Sequence, residues 1–427
     1  MSRYRERMPN LEEITFTSKD IPENIEITPE LLSEQASEIL AKYFEFEGIK
    51  NYKILETNKT KKSFFGAIEI EGEKFFFKFA SRDSIFKELQ GYRLAGVFPH
   101  ETVRGHHFAE QCAFYIQDYC EEVASGDLLM TNLNSVMSTG NQSEHEAALL
   151  RSGKMLQCVA NIFSRTLSIE PRVEIGKNDA FFNDRLIPGG RIDKYYSSDK
   201  IIFKIGDRTI SVKDVMNGRY YVNEVQMDNS IEGHLSAAKD NLSQKKPRLF
   251  ILSQGDPTES NITADGNFFD FEVAGMNPLA QESAIFCAHS YLSGHYITPK
   301  YSESSNPQDR DYTDTFSKQI EVKYEIALDG NLKIDFRYPL PQLKKDLIGQ
   351  YNNMIVKALE KQLTPEQQAH LVSEFKSAML LRLIGVKNIF RLEEKDILLY
   401  LGLIAHFMQD RKFQSISEYI ENKFVAI

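Results

Sequence analysis

The 427-residue sequence predicts an α+β fold in which an antiparallel sheet precedes a mainly helical region. Three strand-like apolar runs follow one another between Tyr52 and Ala80. Helical periodicity with capping signals covers Leu343 to Phe407. A hydrophobic content of 42% makes the chain globular and long enough for two or three domain-sized units.

The first predicted region is rich in strands. Residues 1–50 are a charged N-terminal extension, in which Thr28-Pro29-Glu30 opens a helix with a Thr cap and a Pro in the first turn. In residues 51–118, KILETN, SFFGAIEIEG and EKFFFKFA predict three antiparallel strands, with Gly72 in the second turn. CAFYIQDYCEE, from Cys112 to Glu122, predicts the last strand of this region.

One lysine and one glutamate in this region are candidates for an ion pair. Lys78 projects from an aromatic strand, and Glu88 lies in a helix that begins near Ser81. A cation that faces inward requires an anionic partner. The alternative is that Lys78 protects a sheet edge and Glu88 is a solvated helix residue.

The middle of the chain combines helices with an insert. We expect a polar loop from Ser125 to Glu144 and a helix from there to Leu167. Ser152-Gly153-Lys154-Met155 is not a P-loop, because no Ser or Thr follows the Lys. Residues 171–245 form an insert with a strand pair in IIFKIGDRTISV and a helix near Ile231 to Leu242. Its candidates for an acceptor pocket are Tyr195, Tyr196, Asp184 and Asp193, although packing and solvated loops also explain them.

The segment from Leu249 to Gly275 carries the strongest chemical signal. An apolar run ends at Gly255-Asp256-Pro257, which places a carboxylate on a turn. Asn261 follows, and Asp265-Gly266 predicts a hairpin whose closure brings Asn261 and Asp270 to one end of a two-stranded ribbon. Such a set suits phosphoryl transfer, because one carboxylate can orient a hydroxyl while an amide oxygen and a second carboxylate hold Mg²⁺. The spacing alone is weak, and two acidic surface turns are the alternative.

Gly255-Asp256-x4-Asn261 and Asp270-Phe271-Glu272 resemble the motifs of the aminoglycoside phosphotransferase and choline kinase-like group, which has a protein-kinase-like fold. The resemblance covers about Tyr52 to Tyr291. It implies a two-lobed α+β protein with an antiparallel-sheet N-lobe at 51–118 and a mainly helical C-lobe at 119–300. Residues 301–427 would add a C-terminal hairpin and extra helices.

The resemblance also implies roles for individual residues. Asp256 would be the catalytic base, Asn261 and Asp270 the Mg²⁺ ligands, Lys78 the phosphate clamp and Glu88 its partner. ATP or GTP would be the phosphate donor, and its base would meet the backbone near Gln117 and Tyr119. The match departs in two respects: Gln254 replaces the usual His, and the ribbon between Asn261 and Asp270 is about four residues shorter than the family's, an even number that preserves side-chain alternation. In addition, the loop before Ser63 lacks a glycine cluster, so that Ser63 or backbone amides would cover the phosphates.

The C-terminal region has a hairpin and helices. Tyr301 to Thr313 predicts a polar loop, and QIEVKYEIALDGNLKIDFRY predicts a hairpin with an Asp-Gly turn. In the helical region that follows, Thr364-Pro365-Glu366-Gln367 supplies a cap, a first-turn Pro and a capping-box Gln.

Composition narrows the partners. A net charge of −10 argues against a nucleic-acid scaffold and suits a soluble protein or a cationic ligand. The four cysteines lack metal-site spacing, as expected of reduced thiols in a cytoplasmic protein. No run reaches the ~18 apolar residues of a membrane helix, so we expect no membrane association.

The function predicted from the sequence is ATP- and Mg²⁺-dependent transfer of a γ-phosphate to a hydroxyl of an aminoglycoside, a choline-like or a sugar-like acceptor. Two alternatives remain open. A catalytically weak nucleotide-binding regulator would explain Gln254 and the glycine-poor loop. A kinase acting on a protein partner is disfavoured by Glu272, where protein kinases have Gly.

Overall fold

The computed structural model describes residues 29–59, 63–109, 112–168, 174, 176–205, 208–243, 246–302, 305–327, 331–409 and 412–425. These residues form two compact units. The first contains the described chain up to Arg93, together with Pro99–Gly126 and Phe269–Glu272. The second contains Leu94–Phe98, Asp127–Phe268 and the chain from Val273 onward.

The first unit is built on a five-stranded antiparallel sheet with the order β1-β2-β3-β5-β4. Its strands are β1 (Tyr52–Lys59), β2 (Ser63–Ile70), β3 (Glu73–Ser81), β4 (Val103–Phe108) and β5 (Cys112–Asp118). Its helices are α1 (Pro29–Glu47), α2 (Arg82–Leu94) and α3 (Glu121–Ser125). The predicted strands and the helix after β3 are confirmed, whereas β4 was not predicted. Thr28, the expected helix cap, lies outside the described residues.

Helix α1 shares a hydrophobic core with the sheet. Ala36, Leu40 and Phe44 are spaced four residues apart, so they lie on one face of the helix. They form one buried cluster with sheet residues that include Phe77 and Phe114. Helix α1 is therefore part of the hydrophobic core of the first unit from Ala36 onward.

The second unit is mainly helical. Its longer helices are α4 (Leu129–Thr139), α5 (Gln142–Thr166), α9 (Ile231–Asn241), α10 (Leu279–Ala288), α12 (Pro307–Ser317), α13 (Gln342–Tyr351), α15 (Pro365–Ile384) and α16 (Glu394–Met408). Its shorter helices are α6 (Asn183–Leu186), α7 (Arg191–Tyr196), α8 (Val212–Asn217), α11 (Thr298–Tyr301), α14 (Lys357–Glu360) and α17 (Ile416–Ile420). Segments of 3-10 helix cover Lys177–Phe181, Glu259–Asn261 and Ile389–Arg391, and π-helical segments cover His289–Ile297, Asn352–Val356 and Glu421–Val425.

Three small sheets complete the second unit. The pair β6 (Ile201–Ile205) and β7 (Arg208–Ser211) is antiparallel, as are β10 (Phe250–Ser253) and β11 (Gly275–Pro278). The third sheet has the order β12-β13-β8-β9, with β8 (Tyr221–Val222), β9 (Val225–Gln226), β12 (Glu321–Ile326) and β13 (Leu332–Arg337). Its strands β13 and β8 are parallel, which joins the predicted insert to the C-terminal hairpin.

Several predicted elements of this unit are confirmed. They include α5, α9, the β6–β7 pair, the C-terminal helices and the capping box of Thr364 and Gln367. Ser152-Gly153-Lys154-Met155 lies inside α5, as expected if it is not a P-loop. The β12–β13 hairpin is present, while its Asp-Gly turn lies outside the described residues.

Two predicted loops are wrong. The segment expected as a polar loop from Ser125 to Glu144 contains α4, in which Leu129, Leu133 and Val136 are buried at helical spacing. The polar stretch from Tyr301 to Thr313 contains the start of α12, whose Asn306 cap accepts from the backbone N–H of Gln308. In both segments the few apolar residues of the buried helix face are outnumbered by polar residues, so the sequence pattern resembles that of a loop.

The ribbon expected between Asn261 and Asp270 is also wrong in extent. A single antiparallel bridge joins Ile262 and Phe268 around the turn. On its other edge the same segment pairs with residues before α4: the carbonyl of Ile262 accepts from the N–H of Leu129, at 2.8 Å, and the N–H of Ala264 donates to the carbonyl of Asp127, at 3.0 Å.

Candidate functional site

The first group of candidate residues surrounds Lys78 on β3, the central strand of the five-stranded sheet. Lys78 Nζ lies 2.8 Å from Glu88 Oε2 on α2. Glu88 is buried, and its Oε1 accepts a hydrogen bond from Tyr115 Oη at 2.8 Å. The predicted ion pair is present, and the edge-strand alternative for Lys78 is wrong because β3 has neighbours on both sides.

Asp270 belongs to the same group. Its Oδ1 lies 3.6 Å from Lys78 Nζ, and its side chain remains 46% exposed. Although burial acts to lower the pKa of Lys78, the carboxylates of Glu88 and Asp270 raise it, so the lysine stays charged. A partly buried cation between two carboxylates can hold a phosphate once a ligand is bound.

The segment that carries Asp270 is positioned by a close approach to helix α2. A Cβ added at Gly91 would lie 1.8 Å from the carbonyl oxygen of Phe271, which only glycine avoids. The Phe271 ring is buried and packs on Tyr92, with 4.7 Å between ring centroids. Asp270 itself has a positive φ of 57°, a conformation that Asp and Asn tolerate better than most residues.

The second group of candidate residues lies on the loop after β10, in the second unit. The backbone N–H of Asp256 donates to Gln254 Oε1 at 2.8 Å. Asn261 Nδ2 donates to the Asp256 carbonyl at 3.0 Å and to its Oδ2 at 3.3 Å. Gln254 thus braces the loop in a way that the sequence did not predict, and Asp256 and Asn261 are in direct contact.

Glycine allows this loop to turn. Gly255 has φ of 92°, and an added Cβ would lie 2.2 Å from the carbonyl oxygen of Val273. No residue with a side chain fits this position without a shift of the backbone. The Gly-Asp order of the motif therefore has a steric cause.

Two buried glutamates hold the loop in place. Glu259, which precedes Asn261 on the 3-10 turn, forms a fully buried ion pair with Lys344. Burial acts to raise the pKa of Glu259, but Lys344 brings it below its usual value, which favours the ionised carboxylate. Glu282 accepts from the backbone N–H of Gly255 at 3.3 Å, and its burial raises its pKa to about 8.

Two arginines near Asp256 have no counterpart in the sequence prediction. Arg382 Nη2 on α15 lies 3.8 Å from Asp256 Oδ1. Arg185 on α6 is buried, and the charges of Arg382 and Asp256 both influence its pKa. Like Lys344 and Glu282, they lie far from Asp256 in sequence. No local motif signals their proximity, so only the fold reveals it.

The remaining predicted residues have the following positions. Ser63 is the buried first residue of β2, and the loop before it lies outside the described residues. Gln117 Oε1 accepts from Tyr92 Oη at 2.9 Å, and Lys74 Nζ lies 5.4 Å from the ring centroid of Tyr119. The side chain of Gln117 is therefore used inside the first unit.

The acceptor-pocket candidates of the insert have separate surroundings. Tyr196 Oη donates to the carbonyl of Ile384 at 2.6 Å and is structural. Asp193 Oδ2 accepts from the N–H of Gly189, and Asp184 is exposed. Tyr195 is partly buried and contributes to the electrostatic environment of Arg185.

The described part of the chain has no group of three or more His, Cys, Asp or Glu side chains that would hold a metal by itself. It also has no helix that is long and apolar enough to cross a membrane. Within the described residues, Cys112, Cys120, Cys158 and Cys287 form no disulfide.

The fold defines the class of protein. The central strand of an antiparallel sheet carries a lysine that pairs with a glutamate on the next helix, and a mainly helical unit follows. This is the arrangement of a protein-kinase-like fold, so the predicted fold class is confirmed.

The solved structures to which the chain is similar include aminoglycoside phosphotransferases. APH(4)-Ia is 14% identical with a TM-score of 0.37, over 81% of this chain and 99% of that one. A candidate enzyme of this kind from Ralstonia eutropha is 10% identical with a TM-score of 0.40, over 90% and 98%. The type VIII aminoglycoside-3'-phosphotransferase is 10% identical with a TM-score of 0.33, over 75% and 98%.

No protein-family model matches the chain, and no curated protein matches its sequence. At such TM-scores, the similarity to solved structures adds nothing to the assignment of a function. That assignment depends on the residues themselves.

Proposed function

We propose that this protein transfers the γ-phosphate of ATP or GTP to a hydroxyl group of a small molecule. The observation that carries the proposal is the position of Lys78, 2.8 Å from Glu88 and 3.6 Å from Asp270. In kinase chemistry, a lysine held by a buried carboxylate clamps the phosphates, and a nearby, more exposed carboxylate binds the metal ion. Lys78, Glu88 and Asp270 have this arrangement.

The roles proposed for the other residues follow the same chemistry. Asp256 is the catalytic base, and Asn261 and Asp270 are the metal ligands. Lys78 is the phosphate clamp and Glu88 its orienting partner. Ser63, Gln117 and Tyr119 remain proposed nucleotide contacts, the last two through backbone groups.

The proposed ligand atoms are of the kinds that bind magnesium. Asn261 uses its Nδ2 to donate hydrogen bonds to Asp256. The Oδ1 of Asn261 therefore points away from Asp256, and it accepts no hydrogen bond from the described residues. An amide oxygen and a carboxylate are hard ligands of the kind that Mg²⁺ prefers, and the nucleotide phosphates and water would complete its shell. When bound, the ion would neutralise the charge of the phosphates.

The chain supplies the proton transfer. The Asp256 carboxylate would accept the proton of the acceptor hydroxyl as the new O–P bond forms and the bond from the γ-phosphorus to the leaving nucleoside diphosphate breaks. Asn261 holds this carboxylate at Oδ2, and Oδ1 lies on the side of Arg382.

A comparison of two aspartates tests the proposal. Asp270→Asn removes the proposed ligand charge but keeps a residue that tolerates positive φ, and Glu88 remains as the partner of Lys78. We expect little change in the melting temperature of the unliganded protein and a loss of the rise caused by Mg²⁺ and a non-hydrolysable ATP analogue. A ligand at a hundredfold excess over Kd stabilises by about 2.7 kcal/mol, so the rise is measurable.

Asp265→Asn is the control, because Asp265 is an exposed turn residue of the same segment. It should keep the full ligand-induced rise. Equal rises in the two variants would reject Asp270 as a metal ligand. A regulator without turnover would bind nucleotide in the same assay, but no acceptor would accelerate its release of nucleoside diphosphate.

A further inference from the structure

We propose that the acceptor carries a negative charge, a carboxylate or a phosphate, which is bound by Arg185 and Arg382 beside Asp256. This inference rests on the proposed function, because it identifies the class of acceptor for the same carboxylate. It concerns two arginines that no motif singles out.

Both guanidinium groups are held in a buried place. Arg185 is 7% exposed, and the side chain of Arg382 is 10% exposed. Their guanidinium carbons lie 5.6 Å and 5.9 Å from the centroid of the same ring, Phe181. Contact with an aromatic ring orients a guanidinium group and leaves the N–H groups at its edge for an in-plane ligand.

Each of the two guanidinium groups has an N–H donor without a hydrogen-bond partner in the described residues. Among the described residues, Arg185 Nη1 and Arg382 Nε are buried and have no hydrogen-bond partner. Arg185 forms no ion pair there, and the anion closest to Arg382 is Asp256, at 3.8 Å. Buried donors without partners are costly, so their retention points to a ligand that satisfies them.

The local charge balance is positive. Burial and the charges of Arg382 and Arg191 lower the pKa of Arg185 to about 9, so it is still charged at neutral pH. Glu282, the other acidic group close to Arg382, is mostly neutral because its pKa is about 8. Asp256 alone does not balance the arginines, and an added anion would relieve their mutual repulsion.

The geometry also limits the acceptor. Because Arg382 lies 3.8 Å from Asp256, the anionic group must be close to the hydroxyl that Asp256 would deprotonate. A compact hydroxy acid or a phosphorylated polyol meets this condition. A polycationic aminoglycoside or choline would place positive charge against two buried arginines.

Four related compounds test the proposal at constant ionic strength. Glycerate and glycerol 3-phosphate are anionic, while glycerol and choline are their neutral and cationic counterparts. Binding is measured by calorimetry, with inorganic phosphate as an additional probe, in the absence and presence of Mg²⁺ and a non-hydrolysable ATP analogue. We expect binding of at least one anionic probe and none of glycerol or choline. The two anionic compounds distinguish a carboxylate site from a phosphate site.

Variants locate the binding. Arg382→Gln and Arg185→Gln should weaken anion binding about tenfold or more, as expected for a lost charge-assisted hydrogen bond, while the nucleotide Kd stays unchanged. Arg382→Lys keeps the charge and should retain part of the affinity. Arg337→Gln is the control, because Arg337 is 71% exposed and pairs with Glu321.

The outcomes separate the two proposals. The anionic acceptor is rejected if the wild-type protein binds no anionic probe or binds choline more tightly than the anions. It is also rejected if the arginine variants bind the anions as tightly as the wild type does. The first two outcomes come from the wild-type titration alone, so they do not depend on whether any variant folds. A nucleotide Kd that rises in Arg382→Gln would also reject it, since the arginine would then serve the nucleotide. Failure of the wild type to bind Mg²⁺-nucleotide rejects the proposed function, and the titration without nucleotide still decides the anion site.

Discussion

Asn261 Nδ2 donates to both the backbone carbonyl and the carboxylate Oδ2 of Asp256, at 3.0 Å and 3.3 Å. One side chain thus fixes the loop and the proposed base while it directs its own Oδ1 away. The five-residue separation of the motif has a structural reason, because the 3-10 turn Glu259–Asn261 returns the chain to Asp256.

Asn261→Ala removes this double contact and the proposed ligand oxygen. We expect the concentration of Mg²⁺ needed for half-maximal nucleotide binding to rise about tenfold or more. Asn267→Ala, a change in the same segment, should leave it unchanged. A Mg²⁺ titration of nucleotide binding by fluorescence or calorimetry makes the comparison, and identical curves for the two variants would argue against Asn261 as a ligand.

Two helical glycines give opposite predictions. At Gly91 an added Cβ meets the Phe271 carbonyl oxygen at 1.8 Å, whereas at Gly153 on α5 the nearest atom is Gln350 Oε1 at 3.7 Å. Gly91→Ala should lower the free energy of unfolding by about 1–3 kcal/mol and weaken nucleotide binding, because the segment of Asp270 must shift. Gly153→Ala should raise it by about 0.5–1 kcal/mol. Denaturant unfolding of both variants tests this contrast, and similar effects of the two would contradict the close approach.

Variants of the Lys78–Glu88 pair distinguish effects on stability from effects on nucleotide binding. Lys78→Met leaves the buried Glu88 without its cation, and we expect a loss of about 3–5 kcal/mol in the free energy of unfolding. The double variant Lys78→Met/Glu88→Gln should recover most of this stability but not the nucleotide affinity. If the double variant also bound nucleotide as the wild type does, Lys78 would have no role as a phosphate clamp.

The sequence predicts what is local. The strands around Lys78, the helix with Glu88 and the Gly255-Asp256 turn depend on residues close to one another, and the structure contains them. The ribbon before Asp270 is shorter than predicted: a single bridge joins Ile262 and Phe268, and the other edge of the segment pairs with Asp127 and Leu129, which are distant in sequence. Local propensity does not report such a long-range pairing.

The surroundings of Asp256 were beyond local patterns. Arg185, Arg382, Glu282 and Lys344 belong to helices distributed over the second unit, and each residue is unremarkable in its own helix. Their importance comes from burial and from the charges that packing brings near the loop. Only the tertiary structure shows that Arg382 lies 3.8 Å from Asp256, in a chain whose net charge is −10.

Glu282 should make stability depend on pH. Burial raises its pKa from 4.5 to about 8 in the folded protein, so folding favours its neutral form. Its contribution to stability is therefore complete below pH 4.5 and is lost as the pH rises through about 8, by at most about 5 kcal/mol. Glu282→Gln imitates the neutral form, so its melting temperature should exceed that of the wild type at pH 9 by more than at pH 5. A difference that does not vary with pH would contradict the raised pKa.

The most direct test of the proposed phosphotransferase is the rate of acceptor-dependent release of nucleoside diphosphate from the wild type and Asp256→Asn. The wild type is supplied with Mg²⁺-ATP and a panel of small hydroxylated compounds that includes neutral, cationic and anionic members. We expect at least one compound to accelerate release, and Asp256→Asn to lower this rate about 10²–10⁴-fold without a change in nucleotide Kd. A wild type that no acceptor accelerates, or an Asp256→Asn variant as fast as the wild type, would contradict the account.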